Sequence, residues 1–246
     1  MTVAAEDEGQ LAAGRTILEA TSGNTGVALA LVGAVLGHAV ELVMPDKVAA
    51  ERRRMAAAFG ATVVLSDPLE GTDGAIREAR RRAAERPDLY AYVDQYSNPA
   101  NPLAHELTTG PEIWAQSGGR VTHVVAGVGT SGTVLGLSAA LRPRGVRVVA
   151  AQPAEPFHGI EGWKHMASAM RPAIWDESAA DVHLAVSTEE AHAMARRLAR
   201  EEGIFSGPSG GAAVTAALRV AREERGIIVV VIADGGERYL STALYD

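Results

Sequence analysis

The chain has no cysteine among its 246 residues, which excludes a disulfide scaffold and a thiolate metal site together. Lysine is nearly absent as well: of 23 basic residues only Lys47 and Lys164 are lysines, a scarcity that bears on the chemistry below. Aromatic residues reach 4%, and no basic patch interleaved with aromatics occurs, so nucleic acid is not an expected partner. Long hydrophobic runs are missing too. The longest, Val27 to Leu36, contains glycine and is too short to span a bilayer. The N-terminus lacks the basic and apolar regions of an export signal. These absences predict no membrane partner and a cytoplasmic protein.

What is present is a well-provisioned core. Hydrophobic residues make up 47% and charged residues 22%, with the net charge of −7 spread rather than blocked; this is the balance of a soluble globular chain. Apolar runs rich in Val and Ile alternate with helical patterns. The strands expected are 16–19, 40–44, 62–65, 90–93, 123–126, 146–151 and 227–232. The helices expected are 25–36, 49–59, 71–85, 102–116, 132–141, 188–202 and 210–224. Continuously apolar strands separated by helices predict a doubly wound α/β architecture built on parallel sheets. Two prolines in Asn98-Pro99-Ala100-Asn101-Pro102 mark the best domain boundary, because the residue before each proline is pushed to extended backbone. From Pro153 to about Val182 the sequence reads as a long irregular loop, and loops of that length are commonly functional.

Three glycine-rich turns look chemical. The first is Thr21-Ser22-Gly23-Asn24-Thr25-Gly26, between a strand and a helix. Its hydroxyls and the helix-start N–H groups suit a carboxylate or phosphate; equally, Ser22 or Asn24 could simply cap the helix. The second, Gly127-Val128-Gly129-Thr130-Ser131-Gly132-Thr133, matches the G-x-G-x-x-G dinucleotide fingerprint. That fingerprint needs an acid at the tip of the next strand, and here the strand ends Gln152-Pro153. A nest for a single phosphate monoester is what remains. The third, Ser206-Gly207-Pro208-Ser209-Gly210-Gly211, opens a helix, with Ser209 as either a cap or a site residue.

In order and spacing, the segments EATSGNTG, MPDKVAAERRRMAAAFGA, QYSNPANP, TTGPEIW, AGVGTSGT, EEGIFSGPSGGAAV and GERYLST resemble the cysteine synthase family of fold-type II pyridoxal-phosphate enzymes, relatives of O-acetylserine sulfhydrylase and cystathionine β-synthase. The likeness covers essentially the whole chain, and HGIEGWKHM resembles a bacterial subgroup. The resemblance implies two doubly wound parallel-sheet domains of the tryptophan synthase β type. Residues 1–98 would form the smaller, substrate-carboxylate-binding domain and residues 99–246 the larger one, which binds the cofactor phosphate. It implies pyridoxal 5′-phosphate as cofactor, no metal, a homodimer, and a small amino-acid substrate with sulfide or another thiol as partner. The activity implied is a transferase or lyase reaction of cysteine biosynthesis, in which an O-activated serine loses its leaving group and the thiol adds. By the same resemblance Thr21, Ser22, Gly23, Asn24 and Thr25 would bind the substrate carboxylate, with Asn24 also on the cofactor's 3′-oxygen and Gln95 completing the carboxylate site. Gly129, Thr130, Ser131, Gly132 and Thr133 would form the phosphate cup. Ser209 would face the pyridine nitrogen, where a neutral hydroxyl makes a shallower electron sink than an aspartate and favours elimination over transamination. Alternatives within the same fold are a cystathionine β-synthase-type enzyme and a non-catalytic relative.

One family element is not found in the sequence. The Schiff-base lysine would lie in a Ser-x-Lys-Asp-Arg-like motif about one helix before Thr21, and MTVAAEDEGQLAAGR resembles the second half of the helix that follows it. The lysine is therefore expected upstream of Met1, no catalytic residue is assigned within the chain, and the chain as given is expected to be truncated and inactive. Lys47 is expected to be solvated at a strand exit, and Lys164 is read as a surface lysine.

Overall fold

The computed structural model describes residues 1–12 and 14–246. Its contacts divide the chain into two compact units, Met1–Asn98 and Pro99–Asp246.

In the first unit the order is α1 (Thr2–Asp7), β1 (Thr16–Ala20), α2 (Asn24–Leu36), β2 (Val40–Pro45), α3 (Ala50–Ala58), β3 (Thr62–Ser66), α4 (Gly71–Glu85) and β4 (Tyr90–Tyr92). The strands lie side by side as β3-β2-β1-β4, all parallel, with Ile17 opposite Val40 and Ala91. Ile17, Leu18 and Ala20 of β1 and Leu42, Val43 and Met44 of β2 are fully buried, because helices cover both faces and leave no polar side to alternate with. The chain winds outward from β1 to β3, then returns to place β4 on the other flank. The winding direction thus reverses between β1 and β4, and the crevice at the carboxyl ends of those two strands is where open α/β sheets hold ligands.

The second unit repeats the plan. It runs α5 (Ala100–Ala104), a π-turn (His105–Thr109), α6 (Gly110–Gln116), β5 (His123–Gly127), α7 (Gly132–Leu141), β6 (Arg147–Pro153), β7 (Val182–Val186), α8 (Thr188–Glu202), α9 (Pro208–Glu223) and β8 (Ile228–Val230). The strand order is β7-β6-β5-β8, again parallel, with the reversal between β5 and β8. Val124, Val148 and Leu137 are fully buried in a cluster on one face, and Val125, Val149 and Ala216 in a cluster on the other.

Three details differ from the sequence expectations. The helix α1 lies in the segment read as the second half of a helix, but the edge strand β7 was not anticipated, and the single helix expected over 102–116 is two helices joined by a π-turn. The stretch after Pro153 lacks regular structure up to Glu177, yet Ile160 and Met166 within it are buried, so it packs down rather than projecting. Among the described residues no helix is long and apolar enough to cross a membrane, and no group of His, Asp or Glu could hold a metal ion.

Candidate functional site

In the first unit, the loop from β1 to α2 and the loop after β4 meet at the reversal point. Thr21 is 2% exposed, and its hydroxyl accepts from the N–H groups of Gly23 (3.1 Å) and Gly26 (3.3 Å). Thr21 therefore satisfies the start of α2 from inside the turn, and neither Ser22 nor Asn24 is its cap; the N-cap is Gly23, without a side-chain bond. With Gly23 engaged by Thr21, the N–H of Thr25 in the first turn has no carbonyl ahead of it to bond. Gly23 is a steric requirement. A Cβ there would meet the Arg52 guanidinium, whose Cζ would lie at 2.6 Å. Arg52 itself is 1% exposed and donates to the Ser22 carbonyl at 2.6 Å, placing a buried cation behind the turn.

Gln95 joins the two loops. Its Nε2 donates to Ala20 O at 2.8 Å, and its Oε1 accepts from the Thr25 hydroxyl at 2.9 Å. Beneath it lies Glu19, fully buried, which accepts from the N–H groups of Ala20 (2.9 Å) and Gln95 (3.1 Å). Burial pushes the Glu19 carboxyl up to about 8, with Asp94 adding repulsion. Asp94 has φ +39, a left-handed conformation that Asp tolerates. Its carboxylate accepts from Tyr96 N and Ser97 Oγ, which locks the bend that turns Gln95 inward.

In the second unit, the loop from β5 to α7 sits at the corresponding place. Ser131 has φ +75 and is the N-cap of α7, and its hydroxyl donates to Thr130 O. The Thr130 hydroxyl accepts from Asn101 Nδ2 at 2.9 Å and Gly132 N at 3.4 Å. The Thr133 hydroxyl lies 3.2 Å from His105 Nε2. In the first turn of α7 the N–H groups of Thr133 and Val134 precede the first intrahelical bond, Leu135 N to Ser131 O, so they face outward as donors. Gly129 and Gly127 are also steric requirements: Cβ atoms there would strike Gly162 O and the Trp163 ring. Ser209 is 5% exposed in the first turn of α9, whose N-cap is Gly207, so it is not the cap of that helix.

Lys164 corrects the surface reading. It is 6% exposed, and its N–H donates to Val128 O at 2.8 Å. The segment Gly162–Lys164 lies directly against the glycines of the β5–α7 loop. Lys47 is exposed.

Two doubly wound parallel sheets, each with a hydroxyl- and N–H-rich turn at its reversal point, define an α/β enzyme of the class that handles small anionic ligands. The chain belongs to the pyridoxal-phosphate dependent enzyme family: the family profile of that description matches residues 1–235. A cysteine synthase of Aquifex aeolicus is 51% identical over 244 residues, 96% of this chain and 75% of that protein. Cysteine synthase B of Pseudomonas aeruginosa is 43% identical over 249 residues, 100% of this chain and 82% of that protein. Among solved structures, the O-acetylserine dependent cystathionine beta-synthase from Helicobacter pylori superposes with a TM-score of 0.93 at 32% identity, covering 100% of this chain and 83% of that one.

The family's cofactor is pyridoxal 5′-phosphate, and the residues present fit its phosphate end. The loop Gly129–Thr133 presents helix-start N–H groups and two positioned hydroxyls, and carries no acidic side chain. Ser209, buried in the first turn of α9, presents an uncharged side chain. The sequence offers only Lys47 and Lys164 as amines, and neither stands in the family's Ser-x-Lys motif.

Proposed function

We propose that this chain serves cysteine synthase-type β-replacement, in which an O-activated serine such as O-acetylserine loses its leaving group and sulfide adds at Cβ. The carrying observation is the pair of donor-rich turns at the two reversal points, one suited to a carboxylate and one to a phosphate. When bound, the cofactor supplies an electron sink that lets the Cβ leaving group depart.

The chain's own residues bind and orient. Ser22, Asn24 and the Thr25 backbone N–H donate to the substrate carboxylate at the N-terminus of α2, where the helix dipole favours an anion. Thr21 and Gly23 hold the turn open from within, and Gln95 fixes the Thr25 hydroxyl. Asn24 additionally reaches the cofactor's 3′-oxygen. Gly129, Thr130, Ser131, Gly132 and Thr133 hold the phosphate, and Ser209 offers its hydroxyl to the ring nitrogen without protonating it. The two cysteine synthases named above support sulfide over another thiol as acceptor, the cystathionine beta-synthase keeps a larger thiol as the alternative, and the family resemblance supports a homodimer working in the cytoplasm.

Ligand binding to the 246-residue chain tests this. Thr130→Asp sets a carboxylate against the phosphate dianion and should abolish pyridoxal phosphate binding in calorimetry. Asn24→Ala should weaken O-acetylserine binding about tenfold, the loss of one hydrogen bond to a charged group, while pyridoxal phosphate stays bound. Unchanged cofactor affinity in Thr130→Asp, or loss of cofactor with unaltered amino-acid affinity in Asn24→Ala, would overturn these assignments.

A further inference from the structure

The π-turn His105–Thr109 interrupts the helical run between α5 and α6, and single π-turns inside helices frequently mark functional positions. Here the irregularity has a geometric result. His105 Nδ1 lies 2.9 Å from Thr109 Oγ1, its partner within the turn, while Nε2 lies 3.2 Å from Thr133 Oγ1 on α7. The approach of the two segments depends on Gly136, one turn beyond Thr133. A Cβ at Gly136 would strike Pro102 O and come within 2.5 Å of His105 Cβ. Burial holds His105 below the usual histidine range, so the ring is neutral near pH 7 and carries one N–H and one lone pair.

We propose that His105 is a positioning residue that aims the Thr133 hydroxyl at the cofactor phosphate, through a relay running from the Thr109 hydroxyl to Nδ1 and from Nε2–H to Thr133 Oγ1. In this arrangement Thr109 donates to the Nδ1 lone pair, which fixes the proton on Nε2. Thr133 then accepts at its oxygen, and its own proton is left pointing outward to the anion. Each bond polarises the next in the same direction, and the last is charge-assisted. Asn101 does the corresponding work for Thr130 through a single bond. No other assignment of the protons lets Thr133 both bond His105 Nε2 as acceptor and donate to a phosphate.

The inference rests on the phosphate cup of the proposed function. Its test compares pyridoxamine 5′-phosphate with pyridoxamine, neither of which carries an aldehyde to react with lysine. In the 246-residue chain, His105→Ala and Thr133→Val should each weaken pyridoxamine 5′-phosphate binding about tenfold, as for one hydrogen bond to a charged group. The double variant should be no weaker than either single one, because both changes cut the same relay. His105→Gln, whose Nε2 can still donate to Thr133, should recover most of the affinity. The ³¹P resonance of the bound ligand should move in His105→Ala and return in His105→Gln. Pyridoxamine affinity should be unchanged throughout. Losses that multiply in the double variant, equal losses for both ligands, or an unmoved ³¹P resonance in His105→Ala would overturn the relay while leaving the cup standing. If the wild-type chain binds both ligands equally well, the cup itself is refuted and the relay with it.

Discussion

At the scale of single residues, the informative group is Glu19. A carboxyl group with no exposed surface is held by backbone and amide donors, and among the described residues no cation pairs with it. Asp94, Tyr92 and Tyr96 also face it, with Arg80 beyond Asp94. Such an acid stays protonated. A neutral acid suits its position beneath a turn proposed to hold a carboxylate, since a charged one would repel that ligand. The folded-state value of about 8 lies above the ordinary glutamate value of 4.5, so the folded chain binds the proton more tightly than the unfolded one. The resulting stabilisation is complete below the unfolded value and is lost as pH climbs through about 8. Between roughly pH 5 and 8 this group should remove about 1.4 kcal/mol of stability per pH unit. Glu19→Gln keeps the shape and the acceptor oxygen and removes the titration. Urea denaturation at pH 6 and pH 8 should therefore show a smaller pH loss in Glu19→Gln than in the wild type. Equal slopes would mean that Glu19 is ionised in the folded chain and that its burial is compensated by other means.

At the scale of elements, the packing of α5, the π-turn and α6 against α7 is governed by residues without side chains. Gly132 faces Asn101, Gly136 faces Pro102 and His105, and Gly110 faces Ala140; spacing of four along α7 puts Gly132, Gly136 and Ala140 on one side. Gly136→Ala should force the backbone of the two segments apart. The expected cost is about 1–3 kcal/mol, typical of overpacking, even though alanine is the better helix former by about 1 kcal/mol. A gain in stability by urea denaturation would show that the segments yield freely. This region also shows what a sequence conceals. The regular strands β1, β2, β5 and β6 were legible because their apolar runs alternate with helical patterns. The strand β7 was not: it lies at the sheet edge, paired only to β6, and alternates half-buried with exposed residues, so its five residues resemble loop. The π-turn was invisible for another reason. An i→i+5 turn changes the helix register without changing composition, and 102–116 still reads as one helix. The partners of Thr130 and Thr133 were hidden with it, as was the burial of Lys164, which depends on a loop folding back on glycines far away in sequence. The turns themselves were legible, because their glycines and hydroxyls are contiguous.

At the scale of the whole molecule, the proposed ligand determinants divide between the two compact units. The carboxylate turn, Gln95, Glu19 and Arg52 belong to Met1–Asn98, and the cup, His105, Asn101 and Ser209 to Pro99–Asp246. If the proposed roles hold, each ligand should leave its own signature on backbone opening, since a ligand that binds only the closed form of a segment suppresses its local opening. Pyridoxamine 5′-phosphate alone should slow amide hydrogen exchange at 128–136 and at 101–110, where the relay connects the π-turn to the cup. O-acetylserine alone should slow exchange at 21–27 and 93–97 and leave 101–110 unaffected. The contrast is specific. His105→Ala should remove the phosphate-dependent protection at 101–110 while protection of the Gly129–Thr133 loop persists in weaker form, because the cup keeps its helix-start N–H groups after the relay is cut. Protection spread evenly over both units by either ligand would instead mean that binding tightens the chain globally, and that the division of labour assigned to the two turns is wrong.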